Sequence, residues 1–191
     1  MQKNIIIAGV GGQGILTIAA IIDLAAMNLG LNVKQAEVHG MSQRGGAVES
    51  HLRISSKEIW SDLIPLGKAD MILSIEPMES LRYLPFLSPE GIIVTATEPY
   101  KNIPDYPGKD ELLHSISHAA ACVLVDAGAI AAEAGSAKVY NVVMLGAASP
   151  YLGIAQCELE KAIGIHFSHK GDEIVNMNLK AFRLGIVNRT K

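Results

Sequence analysis

Short β-branched runs alternate with longer stretches of three-to-four-residue apolar period along most of the chain, which predicts strands alternating with helices. Residues 4–8 (NIIIA) form a run stopped by glycines and predict a buried strand. Residues 13–29 are apolar all round, with Gly30 placed to end a helix. Residues 33–38 predict a second strand, joined to the first by a right-handed crossover. Residues 47–54 alternate, Val48, Ser50, Leu52 and Ile54 against Ala47, Glu49, His51 and Arg53, as a half-exposed strand does; residues 57–61 are its candidate hairpin partner. Further strands are expected at 69–75, 91–97 and 122–126. Helices are expected from Pro77 through Leu84 and at 110–119, 127–134, 140–152, 158–165 and 172–186. The proline-bearing segment 98–109 is the one clear loop. This alternation predicts an α/β fold, a mainly parallel sheet with flanking helices in a Rossmann-like three-layer arrangement and a helical C-terminal tail, as one domain over residues 1–191.

Composition sharpens that picture. The chain is 49% hydrophobic, 18% charged and only 5% aromatic, so aliphatic side chains must fill the core. Sixteen Lys and Arg against 19 Asp and Glu give a net charge of -3, which argues against a nucleic-acid partner. The apolar run at 5–8 is too short for a secretory leader. The stretch 15–31 is interrupted by Asp23 and Asn28, so no membrane span is expected and the chain is read as cytoplasmic. Two distant cysteines, Cys122 and Cys157, exclude a disulfide framework or an iron–sulfur cluster held by this chain alone.

Two glycine-bearing segments carry the candidate chemistry. The first, GVGGQG from Gly9 to Gly14, follows a strand and opens a helix. Glycines at Gly9, Gly11 and Gly14 permit a tight turn and close approach of an anion to the helix N-terminus, or simply close helix–strand packing. Glu37 stands 23 residues after Gly14, near the position of a ribose-binding acid. The second segment, EVHGMSQRGG from Glu37 to Gly46, mixes His, Ser, Gln and Arg with three glycines. Arg44 offers a planar donor fork for phosphate or carboxylate, although an exposed turn would need glycines as well. Both segments are expected at carboxyl ends of neighbouring strands, where open α/β sheets bind ligands. Glu76 is expected to act chiefly as a helix-terminal carboxylate. His39 and His51 have no Ser or Cys nucleophile paired to them by local motif, and His51 fits a surface or satisfied interior position. His114, His118, His166 and His169 show no metal-ligand spacing.

These segments, together with SIEP at 74–77, LRYLP at 81–85 and NVVMLG at 141–146, resemble the gamma-type module of the 2-oxoacid:ferredoxin oxidoreductases, most of all its indolepyruvate branch. The resemblance implies oxidative decarboxylation of a 2-oxoacid, an aryl pyruvate such as indolepyruvate, to an acyl-CoA, carbon dioxide and reduced ferredoxin. It implies that this chain alone holds no cofactor. Thiamine diphosphate, its magnesium and 4Fe-4S clusters would sit on a large alpha subunit, with coenzyme A as co-substrate and ferredoxin as acceptor. A hetero-oligomer is implied, with a homodimer as the alternative for the isolated chain. Carried over by position, Gly9, Gly11, Gly12, Gln13 and Gly14 would form one cradle. Ser42, Gln43, Arg44 and Gly45 would form a second wall facing coenzyme A or the partner's thiamine site, Arg44 gripping an anionic group. No catalytic residue and no metal ligand is expected in this chain. Two other readings stay open: a free-standing NAD(P) enzyme, in which Lys138 stands two residues from Tyr140 rather than four, and a subunit that serves assembly only.

Overall fold

The computed structural model describes residues 1–39, 45–101 and 103–188. Six strands form one sheet: β1 (Gln2–Val10), β2 (Asn32–His39), β3 (Ala47–Ser55), β4 (Ala69–Ser74), β5 (Leu87–Ala96) and β6 (Ala121–Val125), in spatial order β2-β3-β1-β4-β5-β6. β1, β4, β5 and β6 run parallel, while β3 is antiparallel to both of its neighbours. The continuous apolar run of β1 is explained by cover on both faces, since every residue from Asn4 to Val10 is buried.

The alternating segment occupies a different place from the one its pattern suggested. β3 inserts between β1 and β2, pairing with β1 from Gln2↔Ser55 to Val10↔Ala47 and with β2 from Asn32↔Ser55 to His39↔Val48. The first two strands are therefore not neighbours. Residues 57–61 form no strand: both hydrogen-bonding edges of β3 are already taken, so no edge is left for a hairpin partner.

One face of the sheet carries α1 (Ile15–Asn28), α4 (Ala127–Ala134), α5 (Tyr140–Ala148), α6 (Gln156–Phe167) and α7 (Asp172–Val187). The other carries α2 (Pro77–Arg82), α3 (Lys109–Ala119) and the segment around Ile64. α1 buries Ile18, Ile21, Ile22 and Ala25 between the sheet and α6 while its apolar Leu16 and Met27 stay exposed, and Gly30 ends it with φ 71° and an amide bond to the Met27 carbonyl of 2.9 Å. The expected helix at 140–152 stops at Ala148 and continues as a 3-10 turn through Pro150. α7 is more than a tail. It lies across α5, whose residues from Asn141 to Ala148 are all buried, and closes an extra layer over the helices that touch the sheet. Among the described residues no helix is long and apolar enough to cross a membrane.

Candidate functional site

The first glycine segment is a turn at the end of β1 that is held largely by its own groups. The Gln13 amide donates to the Val10 carbonyl at 3.1 Å, and the Gln13 side-chain Oε1 accepts from the Val10 amide at 2.8 Å. A Cβ on Gly9 would stand 2.8 Å from Gln13 Oε1 and 3.1 Å from Ile15 Cδ1, so Gly9 serves close packing. Gly14 has φ 80°, and a Cβ there would lie 2.4 Å from Asn141 Nδ2. Asn141, at the start of α5, donates instead to the Gly14 carbonyl at 3.2 Å. Gly12, with φ 98°, has open space where a side chain would be. The packing explanation thus accounts for Gly9 and Gly14, while Gly12 is the glycine that faces outward.

The returning arm of the second segment touches the first. The Gly11 amide donates to the Gly46 carbonyl at 2.9 Å, and Gly45 adopts φ 79° just before it. The Gly45–Gly46 arm that leads into β3 therefore lies beside the glycine turn at the carboxyl end of β1. Ser42, Gln43 and Arg44 lie outside the described residues. Glu37 is exposed on β2, opposite Ser50 of β3. With strands about 4.8 Å apart, the inserted β3 holds Glu37 roughly 10 Å from the line of β1. A dinucleotide fold needs that acid on the strand next to the glycine turn, so this topology removes half of the NAD(P) motif.

A cleft of about 570 Å³ opens beside the glycine turn, a size within the usual range for small-molecule sites. Gly12, Gln13, Gly14 and Thr17 form one wall at the start of α1, where the Gly14 carbonyl already takes the Thr17 and Ile18 amides at 3.1 and 3.3 Å and the positive end of the helix dipole remains. Ser136, Lys138, Val139 and Asn141 form a second wall from the 3-10 turn preceding α5. Phe167, Lys170, Ile174, Met177 and Asn178 close it from α6 and α7. The Lys170 ammonium stands over the Phe167 ring, 5.3 Å from its centre, which holds the charge among the residues lining the cleft. The two lysines and the helix N-terminus favour an anion, and the Phe167–Ile174–Met177 side favours an apolar chain. Lys138, Lys170 and the α7 side chains have no local motif. Only the folding of the last third of the chain against α1 brings them to the glycines.

The Glu76 carboxylate is 1% exposed and caps α2, accepting from the Glu79 amide at 3.0 Å. Its other oxygen accepts from the Tyr100 amide at 3.2 Å and from the Tyr106 hydroxyl. Burial and the adjacent carboxylate push the Tyr106 hydroxyl far above its ordinary range, so it stays a proton donor. Glu76 thus ties the 98–108 segment to the sheet rim, the helix-end role expected of it. Glu76→Ala is expected to cost about 1–2 kcal/mol, the range for a lost N-cap, and to speed proteolytic cleavage within 98–108 relative to the rest of the chain. His51 is an interior histidine. Its Nδ1 accepts from the Ile64 amide at 3.1 Å, and burial pulls it below its ordinary value despite Glu49 nearby. Among the described residues no group of three His, Cys, Asp or Glu side chains is arranged to hold a metal ion.

Against known proteins, the profile of the pyruvate ferredoxin/flavodoxin oxidoreductases matches residues 4–187, nearly the full length. The chain belongs to that family. The IorB subunit of indolepyruvate oxidoreductase from Archaeoglobus fulgidus is 41% identical over 97% of this chain and 94% of its own. Among solved structures, the PORC subunit of Thermotoga maritima pyruvate oxidoreductase superposes with a TM-score of 0.77 at 21% identity, covering 99% of this chain and 97% of that one. The 2-oxoglutarate:ferredoxin oxidoreductase of Magnetococcus marinus, solved with 2-oxoglutarate, coenzyme A and succinyl-CoA bound, gives 0.78 at 23% identity and covers 96% of this chain. There the matching part makes up 30% of a longer polypeptide. The family member described here is accordingly a subunit of a 2-oxoacid oxidoreductase of the ferredoxin-linked class.

Proposed function

We propose that this chain is a single-domain, cytoplasmic small subunit that supplies part of the coenzyme A site to an aryl-pyruvate:ferredoxin oxidoreductase. The observation that carries the reading is the cleft in which Gly12 and the first turn of α1 face Lys138 and Lys170 across an apolar floor. Coenzyme A is a polyanion joined to a slender, weakly polar arm. A lysine pair and a helix N-terminus suit the first part, and Ile174 and Met177 suit the second. In a chain of net charge -3, anion binding has to come from such a local arrangement rather than from the overall field. The ligands named for the Magnetococcus marinus enzyme and the name of the Archaeoglobus fulgidus subunit support the same choice of co-substrate and 2-oxoacid.

The donor set of this chain does not fit an iron–sulfur cluster, which takes four thiolates, because its two cysteines sit on β6 and at the start of α6. The 4Fe-4S clusters are therefore assigned to a large partner subunit; thiamine diphosphate and its magnesium are proposed to sit there with them, with ferredoxin as the acceptor and a hetero-oligomer as the working enzyme. The chain's own task is to bind and orient the thiol carrier at the rim of that partner's active site. Gly9 and Gly14 set the turn, Gly11 fixes it to the Gly45–Gly46 arm, and Gly12 and Gln13 border the cleft. Ser42, Gln43 and Arg44 are proposed to complete the wall, with Arg44 on an anionic group.

Co-expression with the large subunit, followed by steady-state assay with indolepyruvate, tests the reading. The Lys138→Glu/Lys170→Glu double variant is expected to raise the KM for coenzyme A about tenfold or more, equivalent to roughly 1.4 kcal/mol, with the KM for the 2-oxoacid unchanged. Arg44→Ala is expected to act in the same direction. Unchanged coenzyme A dependence in the double variant removes the cleft from the site.

A further inference from the structure

The buried side of α7 is apolar or small at Ala181, Phe182 and Gly185, but it carries an asparagine one turn earlier. Asn178 is 4% exposed and lines the cleft beside the glycine turn. Its Nδ2 donates to the Ile174 carbonyl at 2.8 Å, a bond back along the helix that only the nitrogen can make. That bond fixes which way round the side-chain amide stands. Oδ1 is left as an acceptor with no hydrogen-bond partner among the described residues. Asparagine is a poor helix former, and a bare acceptor inside a protein destabilises it further. An apolar side chain would pack here at lower cost, so the oxygen answers to a donor that the chain does not itself supply.

The second asparagine of the cleft shows the contrast. Asn141 is 9% exposed and both ends of its amide are engaged, Nδ2 with the Gly14 carbonyl at 3.2 Å and Oδ1 with the Val142 amide at 3.0 Å. Asn141 holds the turn, whereas Asn178 keeps an oxygen free. Around Asn178 the cleft is lined by Phe167, Ile174 and Met177, while Lys138 and the start of α1 stand on other walls. An acceptor in an apolar wall selects a neutral N–H and repels phosphate or carboxylate oxygens. Coenzyme A offers two such donors, the secondary amides of its arm and the amino group of its adenine. An asparagine that reads adenine uses oxygen and nitrogen together, and one Nδ2 hydrogen here already goes to Ile174. An amide N–H asks for the oxygen alone. Adenine also lies one ribose from the phosphates and is drawn with them towards the lysines. We propose that Asn178 Oδ1 accepts a hydrogen bond from an amide N–H of the coenzyme's pantetheine arm, so that the cleft selects a carrier by its arm as well as its phosphates. The assignment rests on the coenzyme A reading above and adds which part of the carrier the α7 wall recognises.

The complex with the large subunit is titrated calorimetrically with coenzyme A, with phosphopantetheine (arm without adenine) and with adenosine 3′,5′-bisphosphate (adenine end without arm). Two coenzyme A analogues, each with one arm amide N–H replaced by an ester oxygen, complete the set. In the unaltered complex one analogue is expected to bind at least about fivefold more weakly than coenzyme A, the effect of leaving a buried acceptor bare. Asn178→Ser keeps a hydroxyl to bond the Ile174 carbonyl and withdraws the acceptor. That variant is expected to weaken coenzyme A and phosphopantetheine by a similar factor and to leave adenosine 3′,5′-bisphosphate within about twofold. It is also expected to bind the sensitive analogue and coenzyme A alike, because the coupling between N–H and acceptor is gone. Equal affinity of both analogues and coenzyme A in the unaltered complex overturns the proposal without any variant. A penalty for the analogue that persists in Asn178→Ser overturns it by placing the acceptor elsewhere. A loss confined to adenosine 3′,5′-bisphosphate overturns it by giving the oxygen to adenine. In those three cases weakened coenzyme A binding by the Lys138→Glu/Lys170→Glu variant still upholds the cleft as the coenzyme site. Undiminished coenzyme A binding by that double variant overturns both the proposal and the reading beneath it.

Discussion

Gly185→Val is expected to lower stability by at least about 3 kcal/mol, beyond the usual range for a single overpacking substitution. A Cβ on Gly185 would stand 2.1 Å from the Val143 carbonyl oxygen, and one on Gly146 would stand 2.1 Å from that of Phe182. α5 and α7 therefore cross glycine to glycine, main chain against main chain. Neither helix has room to retreat. α5 is buried along Asn141–Ala148 against the strands, and α7 is pinned by Phe182 and Ala181 in the core. Because Asn141 also holds Gly14, prying the pair apart disturbs the glycine turn and one wall of the cleft. Urea titration followed by circular dichroism is the check, with the midpoint expected to fall sharply. Gly164→Ala in α6 is the control. A Cβ there meets nothing within 4 Å, so helix propensity alone should raise stability by up to about 1 kcal/mol.

Asp23→Asn is expected to stabilise the protein by about 2 kcal/mol at pH 7. Asp23 lies inside α1, its Oδ1 is buried without a hydrogen-bond partner, and burial raises its carboxyl from 3.8 to about 6. Between those values the folded chain binds a proton that the unfolded chain has released. Stability therefore falls as pH rises through that window, and the charged form carries the full cost above about pH 6. The gap corresponds to roughly 3 kcal/mol, reduced here because part of the group still meets solvent. Thermal melts from pH 3.5 to 8 should show the two proteins alike at the acid end and diverging above pH 4, with the variant higher. Equal melting temperatures at pH 7 would mean that water or a cation reaches Asp23.

Much of the architecture was readable from local pattern. Residues 4–10 of β1, 71–74 of β4 and 93–96 of β5 are buried on both faces and read as largely apolar runs, while Gly30 and Pro77 mark helix ends through backbone restrictions that hold in any context. The alternation in β3 was just as plain, but alternation gives a strand and its two faces, not its neighbours. Pairing through backbone groups is indifferent to sequence, so the insertion of β3 between β1 and β2 was invisible in either partner. The same holds for the site. The glycine turn declared itself because positive φ and close approach restrict the residue type, whereas Lys138, Lys170 and Met177 are ordinary surface-type residues until the fold aims them into one cleft.

The amino-acid sequence by itself determined the α/β class, the family, the glycine turn and the lack of thiolates for a cluster, since each follows from residue type at short spacing. Tertiary structure alone decided which strands are neighbours and which glycines pack rather than face a ligand. It also decided that Glu76 braces a loop, where the lysine-lined cleft opens, and that Trp60 stands in solvent. Those are contacts between segments tens of residues apart, and the energies that select them come from burial and close packing summed over the whole chain, which no short stretch contains.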